Sequence, residues 1–298
     1  MSSILLAANG IDHTYPGDVH ALKGLDLTIE KGQKLAILGP NGSGKTTLLL
    51  HLNGTLKPSS GQILIDGRPL AYDRDSLVAL RSRVGLVLQE PDDQLFSANV
   101  YQDVSFGPLN LGLSEAETRI RIDAALEALR IGNLRDRATH MLSFGQKKRV
   151  AIAGMLVMQP QILILDEPTA GLDPHGVRHL LAALQRLHET GTTLVFSTHD
   201  VDLAYTWADQ IAIFADGKVL KQGETARVLV DEELLRTARL KMPLILEISQ
   251  ALDGRSPGWR TAGPPRSKAD LLHVLEQAIG GFDRDGEPKS ATTRSDRH

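Results

Sequence analysis

The run Gly39-Pro40-Asn41-Gly42-Ser43-Gly44-Lys45-Thr46-Thr47 has the residue types and spacing of a loop that grips a chain of phosphates. Gly39, Gly42 and Gly44 let successive backbone N–H groups, those of Asn41 and Ser43 included, turn inward onto acceptor oxygens. The stretch Thr46-Thr47-Leu48-Leu49-Leu50 reads as a helix that points its positive end at the same place. Lys45 supplies a mobile cation for the outer phosphates, and Thr46 a hydroxyl where Mg²⁺ bridges them. Leu35-Ala36-Ile37-Leu38 precedes the loop as an apolar strand, which completes the strand–loop–helix context. A glycine-rich turn that merely enters a helix requires neither the Lys-Thr pair nor these flanks. The chemistry is binding of a nucleoside triphosphate.

Ile162-Leu163-Ile164-Leu165-Asp166-Glu167 is a second apolar strand, ending in two carboxylates. Hydrolysis of a metal-bound triphosphate needs one acid on the metal side and one to orient or deprotonate the attacking water. Neighbouring residues on a strand point to opposite faces, so the two cannot share a role. Asp166 is assigned to the metal and Glu167 to the base. His199 follows the strand Val195-Phe196-Ser197-Thr198, and Gln89 follows Val84-Gly85-Leu86-Val87-Leu88. A parallel sheet brings such strand ends to one edge, where ligands bind. His199 is therefore expected at the γ-phosphate, and Gln89 at the metal and water.

The elements that must hold these residues alternate. Residues 1–38 read as short strands, with Leu25–Ile29 alternating apolar and polar before the turn Glu30–Gln33. Gly61–Ile65 closes at the hairpin signal Asp66-Gly67, and Ile211–Phe214 pairs with Val219-Leu220 around Asp216-Gly217. Strands at 162–165 and 192–196 flank a helix opening at Pro174. Between Gln89 and Met158 the period is helical. Ser114 caps one helix carrying Ile122, Leu126 and Leu129, and a second runs from Ser143 to Met158. The fold class is α/β: a mainly parallel core sheet, an antiparallel β subdomain and an all-helical insert over about 93–158. The domain is expected to span 1–239. Residues 240–298 form a short extension in which Arg255–Lys268 is a linker, Ser267 caps one short helix, and the last 17 residues are disordered.

Composition sets bounds. The 298 residues are 42% hydrophobic and 23% charged with net charge −3, which gives nucleic acid no basic footprint. Absence of cysteine removes disulfides and fits a reducing compartment. No apolar run approaches the 18 residues of a membrane helix, and Met1–Leu6 lacks the basic start of a signal peptide. The expectation is a cytoplasmic protein.

One more segment, Leu142-Ser143-Phe144-Gly145-Gln146-Lys147-Lys148-Arg149, resembles the signature of ABC-type ATPases, whose commoner form has Gly where Phe144 stands. With the phosphate loop, Gln89, the Asp166-Glu167 strand, Ala170-Gly171-Leu172-Asp173 and His199, six motifs fall in that family's order, across roughly residues 3–235. The resemblance implies a P-loop ABC-type nucleotide-binding domain that works as a head-to-tail homodimer with two ATPs in the seam. Each ATP is held by the phosphate loop of one copy, including Thr47, and by Ser143, Gly145 and Gln146 of the other. Asp173 lies at the seam, and Tyr15 stacks on adenine.

Gln89–Val100 followed by Asp103–Pro108 is similar to the ATPases of energy-coupling-factor transporters, and 142–154 most resembles their cobalt/nickel branch, the CbiO type. Phe144 is then normal for the branch. The implied partners are a membrane coupling protein, CbiQ-like, and a metal-binding membrane component, CbiM-like, with the ATPase peripheral on the cytoplasmic face of the inner membrane. Residues 89–106 are expected to receive the coupling protein through Leu95, Phe96, Val100 and Tyr101. The function implied is an ATP-hydrolysing subunit powering import of cobalt or nickel; an energy-coupling-factor ATPase for a vitamin is the alternative. An ABC-type ATPase acting on DNA or ribosomes would show a coiled-coil insert, a second ATPase unit or a basic surface, and none is present. Loss of hydrolysis is disfavoured by intact Lys45, Glu167 and His199. His175 and His179, four apart on a helix, could chelate a metal, but an ordinary amphipathic helix with a solvated face explains them.

Overall fold

The computed structural model describes residues 3–253 and 264–280. Strands β1 (Ile4–Tyr15) and β2 (Val19–Glu30) pair antiparallel around a turn at Gly17 and Asp18, and β3 (Lys34–Leu38) leads into the phosphate loop and α1 (Lys45–Leu52). Next come β4 (Ser60–Ile65), the short β5 (Arg68–Pro69), α2 (Arg74–Arg83) and β6 (Val84–Val87). The helical region holds α3 (Val100–Asn110), α4 (Glu115–Ala128) and α5 (Phe144–Leu156). The chain returns through β7 (Ile162–Leu165), α6 (Pro174–Glu189), β8 (Thr193–Thr198), α7 (Val201–Trp207), β9 (Gln210–Ala215) and β10 (Lys218–Glu224). Helices α8 (Thr225–Val228), α9 (Glu232–Thr237), α10 (Leu244–Asp253) and α11 (Lys268–Gly280) follow.

Two sheets result. The central one has order β10-β9-β3-β8-β7-β6, with β9, β3, β8, β7 and β6 parallel and β10 closing an antiparallel hairpin. The other is antiparallel, order β2-β1-β4-β5. Continuous apolar runs form the central strands because both faces are covered. Their alternation divides the core in two. Leu35 and Ile37, Ile162 and Ile164, Val195, Ala212 and Phe214 face one cluster shared with α1 and the antiparallel sheet. Ala36 and Leu38, Leu163 and Leu165, Phe196, Ile211 and Ile213 face the other, shared with α5, α6 and α7.

Several expectations need correction. The strands of residues 4–30 are not short: β1 and β2 run 12 residues each. Register shifts in β1 near Ile11 and His13 break the two-residue alternation that would have revealed their length. The insert contains a third helix, α3, capped by Asn99 and hidden in sequence by Gly107 and Pro108. Gly107 packs against the Met158 side chain of the neighbouring segment: a Cβ there would lie 2.7 Å from Met158 Sδ and push that flexible side chain aside. The extension holds two helices among the described residues, α10 and α11, rather than one. Ser267 does cap α11, accepting from the Asp270 N–H at 3.1 Å. The linker is only partly described, and the polar tail lies outside the described residues.

Those two helices are tied to the main domain. The Leu244 N–H donates to Asp202 at 2.7 Å, Tyr205 Oη donates to the Pro265 carbonyl at 2.9 Å, and Arg266 donates to the Tyr205 carbonyl at 2.7 Å and to that of Ala208. Arg266 thereby bonds carbonyls at the C-terminus of α7, sharing that of Ala208 with the Thr225 hydroxyl (2.9 Å).

Candidate nucleotide site

The parallel strands end side by side. The Gly39 N–H donates to the Thr198 carbonyl (3.1 Å) and the Asp166 N–H to the Val87 carbonyl (2.8 Å), so the ladder holds the loops in register past the strand ends. Lys45, Asp166, Glu167, His199 and Gln89 leave the sheet at that single edge. A cleft of about 490 Å³ there is lined by Tyr15, Asn41, Gly42, Ser43, Gly44, Lys45, Thr46, Thr47, Gln89, Asp166 and Glu167.

Glycine is required at two loop positions. A Cβ on Gly39 would meet the Phe214 carbonyl oxygen at 2.2 Å. Gly44 has φ 106° and a Cβ there would sit 2.6 Å from the Ala21 carbonyl oxygen. The loop is also tied to the β9–β10 turn by the Gly217 N–H, which donates to the Ser43 carbonyl at 3.1 Å.

The buried Lys45 ammonium folds back onto its own loop, donating to the carbonyls of Gly39 (2.8 Å) and Pro40 (3.1 Å), and lies 3.5 Å from Glu167 Oε1. His199 Nδ1 sits 3.2 Å from both Glu167 oxygens. The carboxylate of Glu167 is thus held between a cation and an imidazole. The Thr46 hydroxyl donates to Asp166 Oδ2 at 2.6 Å, and the Ser197 hydroxyl to Asp166 Oδ1. The oxygens of Thr46 and Asp166 converge in the cleft, a hard donor pair that fits Mg²⁺. Tyr15 borders the cleft mouth, its hydroxyl 3.2 Å from Thr47 Oγ1. Gln89 reaches the cleft from the exposed end of β6.

Glu167 has φ 42°, a left-handed conformation that costs a non-glycine residue on the order of 1–3 kcal/mol. It persists because both its peptide groups are held. Its N–H donates to Ser197 Oγ at 3.0 Å, and its carbonyl accepts from Lys148 Nζ at 2.9 Å and the Ala170 N–H at 3.1 Å. Sequence reasoning missed Ser197 and Lys148. Ser197 could have been found as the polar residue inside an otherwise apolar strand beside the carboxylates. Lys148 gives no local signal, being one of three consecutive basic residues. Burial pulls its ammonium from 10.5 down to about 8, opposed by Glu90, Asp166 and Glu167.

Ser143, Gly145 and Asp173 do not reach this cleft. They line a separate hollow of about 410 Å³ with Phe144, Arg149, Gly171, Leu172, His175 and Gly176. Gln146 differs from expectation: its side chain accepts from the Ser143 N–H (3.0 Å) while the Gln146 N–H donates to Ser143 Oγ (3.4 Å). That capping box takes up the side-chain oxygen of Gln146 and its backbone N–H. Asp173 caps α6 by accepting from the Gly176 N–H at 2.6 Å. The exposed His175 and partly buried His179 meet through their Nε2 atoms at 3.0 Å. Among the described residues no group of three or more His, Cys, Asp and Glu could hold a metal.

A parallel sheet presenting a phosphate loop, a carboxylate pair and a histidine at one edge defines a P-loop nucleotide hydrolase. Residues 22–170 match the ABC transporter family. The cobalt import ATP-binding protein CbiO of Rhodobacter capsulatus is 53% identical over 267 residues, which cover 90% of this chain and 95% of that protein. The solved structure of cbiO1 from Clostridium perfringens, part of the ABC transporter complex cbiONQ, is 46% identical with a TM-score of 0.70. That match covers 84% of this chain and 99% of that one. A dimeric ATP-binding cassette, MJ0796, in a post-hydrolysis state bound to ADP and Pi, is 28% identical with a TM-score of 0.69, covering 74% and 99%. The chain belongs to the ABC transporter family and is an ATPase, an ATP-binding subunit of the energy-coupling-factor type.

Proposed function

We propose that this ATPase powers import of a divalent metal ion, cobalt or nickel, through an energy-coupling-factor transporter. The observation that carries the reading is the near full-length likeness to a cobalt import subunit at 53% identity. Relatives of the same type under the general energy-coupling-factor name keep a vitamin as the second reading. ATP enters the cleft with its phosphates on the N–H groups of Asn41–Thr47 and its adenine against Tyr15. The γ-phosphate draws Lys45 off Glu167, which frees that carboxylate to take a proton from water, while His199 turns to the phosphate. Mg²⁺, when bound between Thr46 and Asp166 with Gln89 nearby, would neutralise charge on the phosphate oxygens.

The signature residues lie in a hollow apart from the phosphate loop, so a second copy arranged head to tail completes each site. Ser143 caps α5 and Gly145 lies in its first turn, where the positive helix end favours a γ-phosphate. The membrane coupling protein, CbiQ-like, docks where Phe96 (65% exposed) meets Phe106 (51% exposed) edge to face at 4.8 Å, flanked by exposed Leu109 and Leu111. Of the residues expected to form this dock, Phe96 alone is freely exposed. Val100 is fully buried, Leu95 packs on the core, and Tyr101 lies under the Arg135 guanidinium at 4.6 Å. A CbiM-like component selects the metal. No described helix is long and apolar enough to cross a membrane, which fits a peripheral subunit held by such partners. Purifying the assembled complex and measuring ATP-driven uptake into vesicles tests the reading. Uptake of radiolabelled cobalt or nickel supports it; uptake of a vitamin with neither metal overturns it.

A further inference from the structure

Helix α5 carries two consecutive lysines that both reach back to the loops of the phosphate cleft. Lys147 pairs with Asp92 at 2.5 Å, in the turn just after Gln89. Lys148, 1% exposed, donates from one ammonium to the backbone carbonyls of Gln89 (3.1 Å) and Glu167 (2.9 Å). We propose that Lys148 is a positioning residue. It ties the signature helix to the two residues that sense and hydrolyse the nucleotide bound by its own subunit.

Three features make the tie specific. The carbonyl that Lys148 holds belongs to Glu167, whose left-handed backbone needs fixing from both sides; Ser197 grips the N–H and Lys148 the carbonyl. The ammonium sits 5.6 Å from the Phe144 ring, and that ring lies where a side chain on Gly171 would be, 2.6 Å from its Cβ position. Phe144, the residue that departs from the commoner signature, therefore wedges between Lys148 and the loop leading to Asp173. Finally, no water-exposed path replaces the tie, because a buried ammonium keeps its position only through the groups it bonds.

The consequence rests on the head-to-tail dimer proposed above. Ser143 and Gly145 read the ATP held by the second copy, while Gln89 and Glu167 act on the ATP of their own subunit. Lys148, in the second turn of the helix that Ser143 caps, joins the two readings in one rigid piece. Closure of the signature on one nucleotide is thereby felt at the base of the other, which couples the two hydrolysis events.

The test uses the full-length chain with Lys148→Met, Lys148→Gln and Lys148→Arg. Steady-state hydrolysis, the Hill coefficient for ATP and equilibrium affinity for a fluorescent ATP analogue are measured on each. Lys148→Met is expected to lower kcat about 10-fold or more, bring the Hill coefficient toward 1, and leave analogue affinity within about 3-fold. Lys148→Arg, which keeps a charged donor, is expected to recover at least a third of kcat. Should the Met variant fail to fold, Lys148→Gln decides, since it is too short to reach both carbonyls and is expected to show the same loss. Wild-type kcat and cooperativity in a folded Met or Gln variant would overturn the proposal. So would loss of affinity and kcat together in proportion, which marks a structural role. A wild-type chain that hydrolyses ATP without cooperativity, and stays monomeric, would instead contradict the dimer on which the coupling rests.

Discussion

At the scale of single residues, the carboxylate proposed as the base, that of Glu167, is held by two neighbours. Lys45 and His199 both touch the Glu167 carboxylate, and Lys45 also satisfies two loop carbonyls. Lys45→Ala is expected to weaken ATP binding and abolish hydrolysis, because Lys45 is the one cation of the phosphate loop itself; Lys23, which also lines the cleft, lies on β2. Phosphate release and analogue titration check this, and near-normal turnover would remove Lys45 from the site. A second residue sets a pH limit. His51, in the last turn of α1, is fully buried, Nδ1 donating to the Thr47 carbonyl at 2.7 Å, and His13 packs edge-on at 4.6 Å. Burial, aided by His13, holds the His51 imidazole below 6.5. The unfolded chain binds that proton at higher pH than the native one, so stability declines as pH falls through about 6.5. The slope is at most about 1.4 kcal/mol per pH unit for one proton. His51→Asn, which can still donate to Thr47, is expected to flatten that decline; an unchanged unfolding profile between pH 7.5 and 5.5 would exclude His51 as its source. The residues named by motif were legible because phosphate chemistry constrains type and spacing. Lys148 and Ser197 were not, since their task is to hold backbone, and many residue types at many spacings can do that.

Among the elements, what the sequence made visible follows how each is buried. β3, β7 and β8 are covered on both faces and read as unbroken apolar runs. β1 is bulged, and α3 contains Gly107-Pro108, so each departs from the period that would mark it. α10 was passed over although its Leu246 is buried, because the proline-rich stretch after it dominates the composition. The docking surface proposed above rests on the exposed Phe96–Phe106 pair, without the buried Val100 or the Arg135-covered Tyr101. Phe96→Glu is expected to change folding stability by no more than about 0.5 kcal/mol and keep the ATPase of the isolated subunit, while abolishing capture of the membrane component and uptake. Val100→Ala, in the core, is expected to cost about 1–3 kcal/mol and leave capture intact in the folded fraction. Retained capture by the Phe96 variant would place the dock elsewhere.

For the whole molecule, the governing fact is the separation of the phosphate cleft from the signature hollow within one chain. That division was readable only through family resemblance, since nothing in the spacing of Ser143 and Lys45 says that they serve different copies. On the head-to-tail dimer proposed above, catalysis is a property of two chains: one subunit would bind ATP with Lys45 and Thr46 but lack the donors that complete the charge stabilisation. The most direct measurement is the size in solution of the Glu167→Gln variant with Mg-ATP. The amide keeps the shape of the carboxylate but cannot take the proton, so hydrolysis is expected to fall about 10²-fold or more while binding survives. The variant should then run at twice the 32.4 kDa of the chain with ATP and at that mass without it. A species that binds Mg-ATP yet stays at the mass of one chain at every concentration would contradict the shared site.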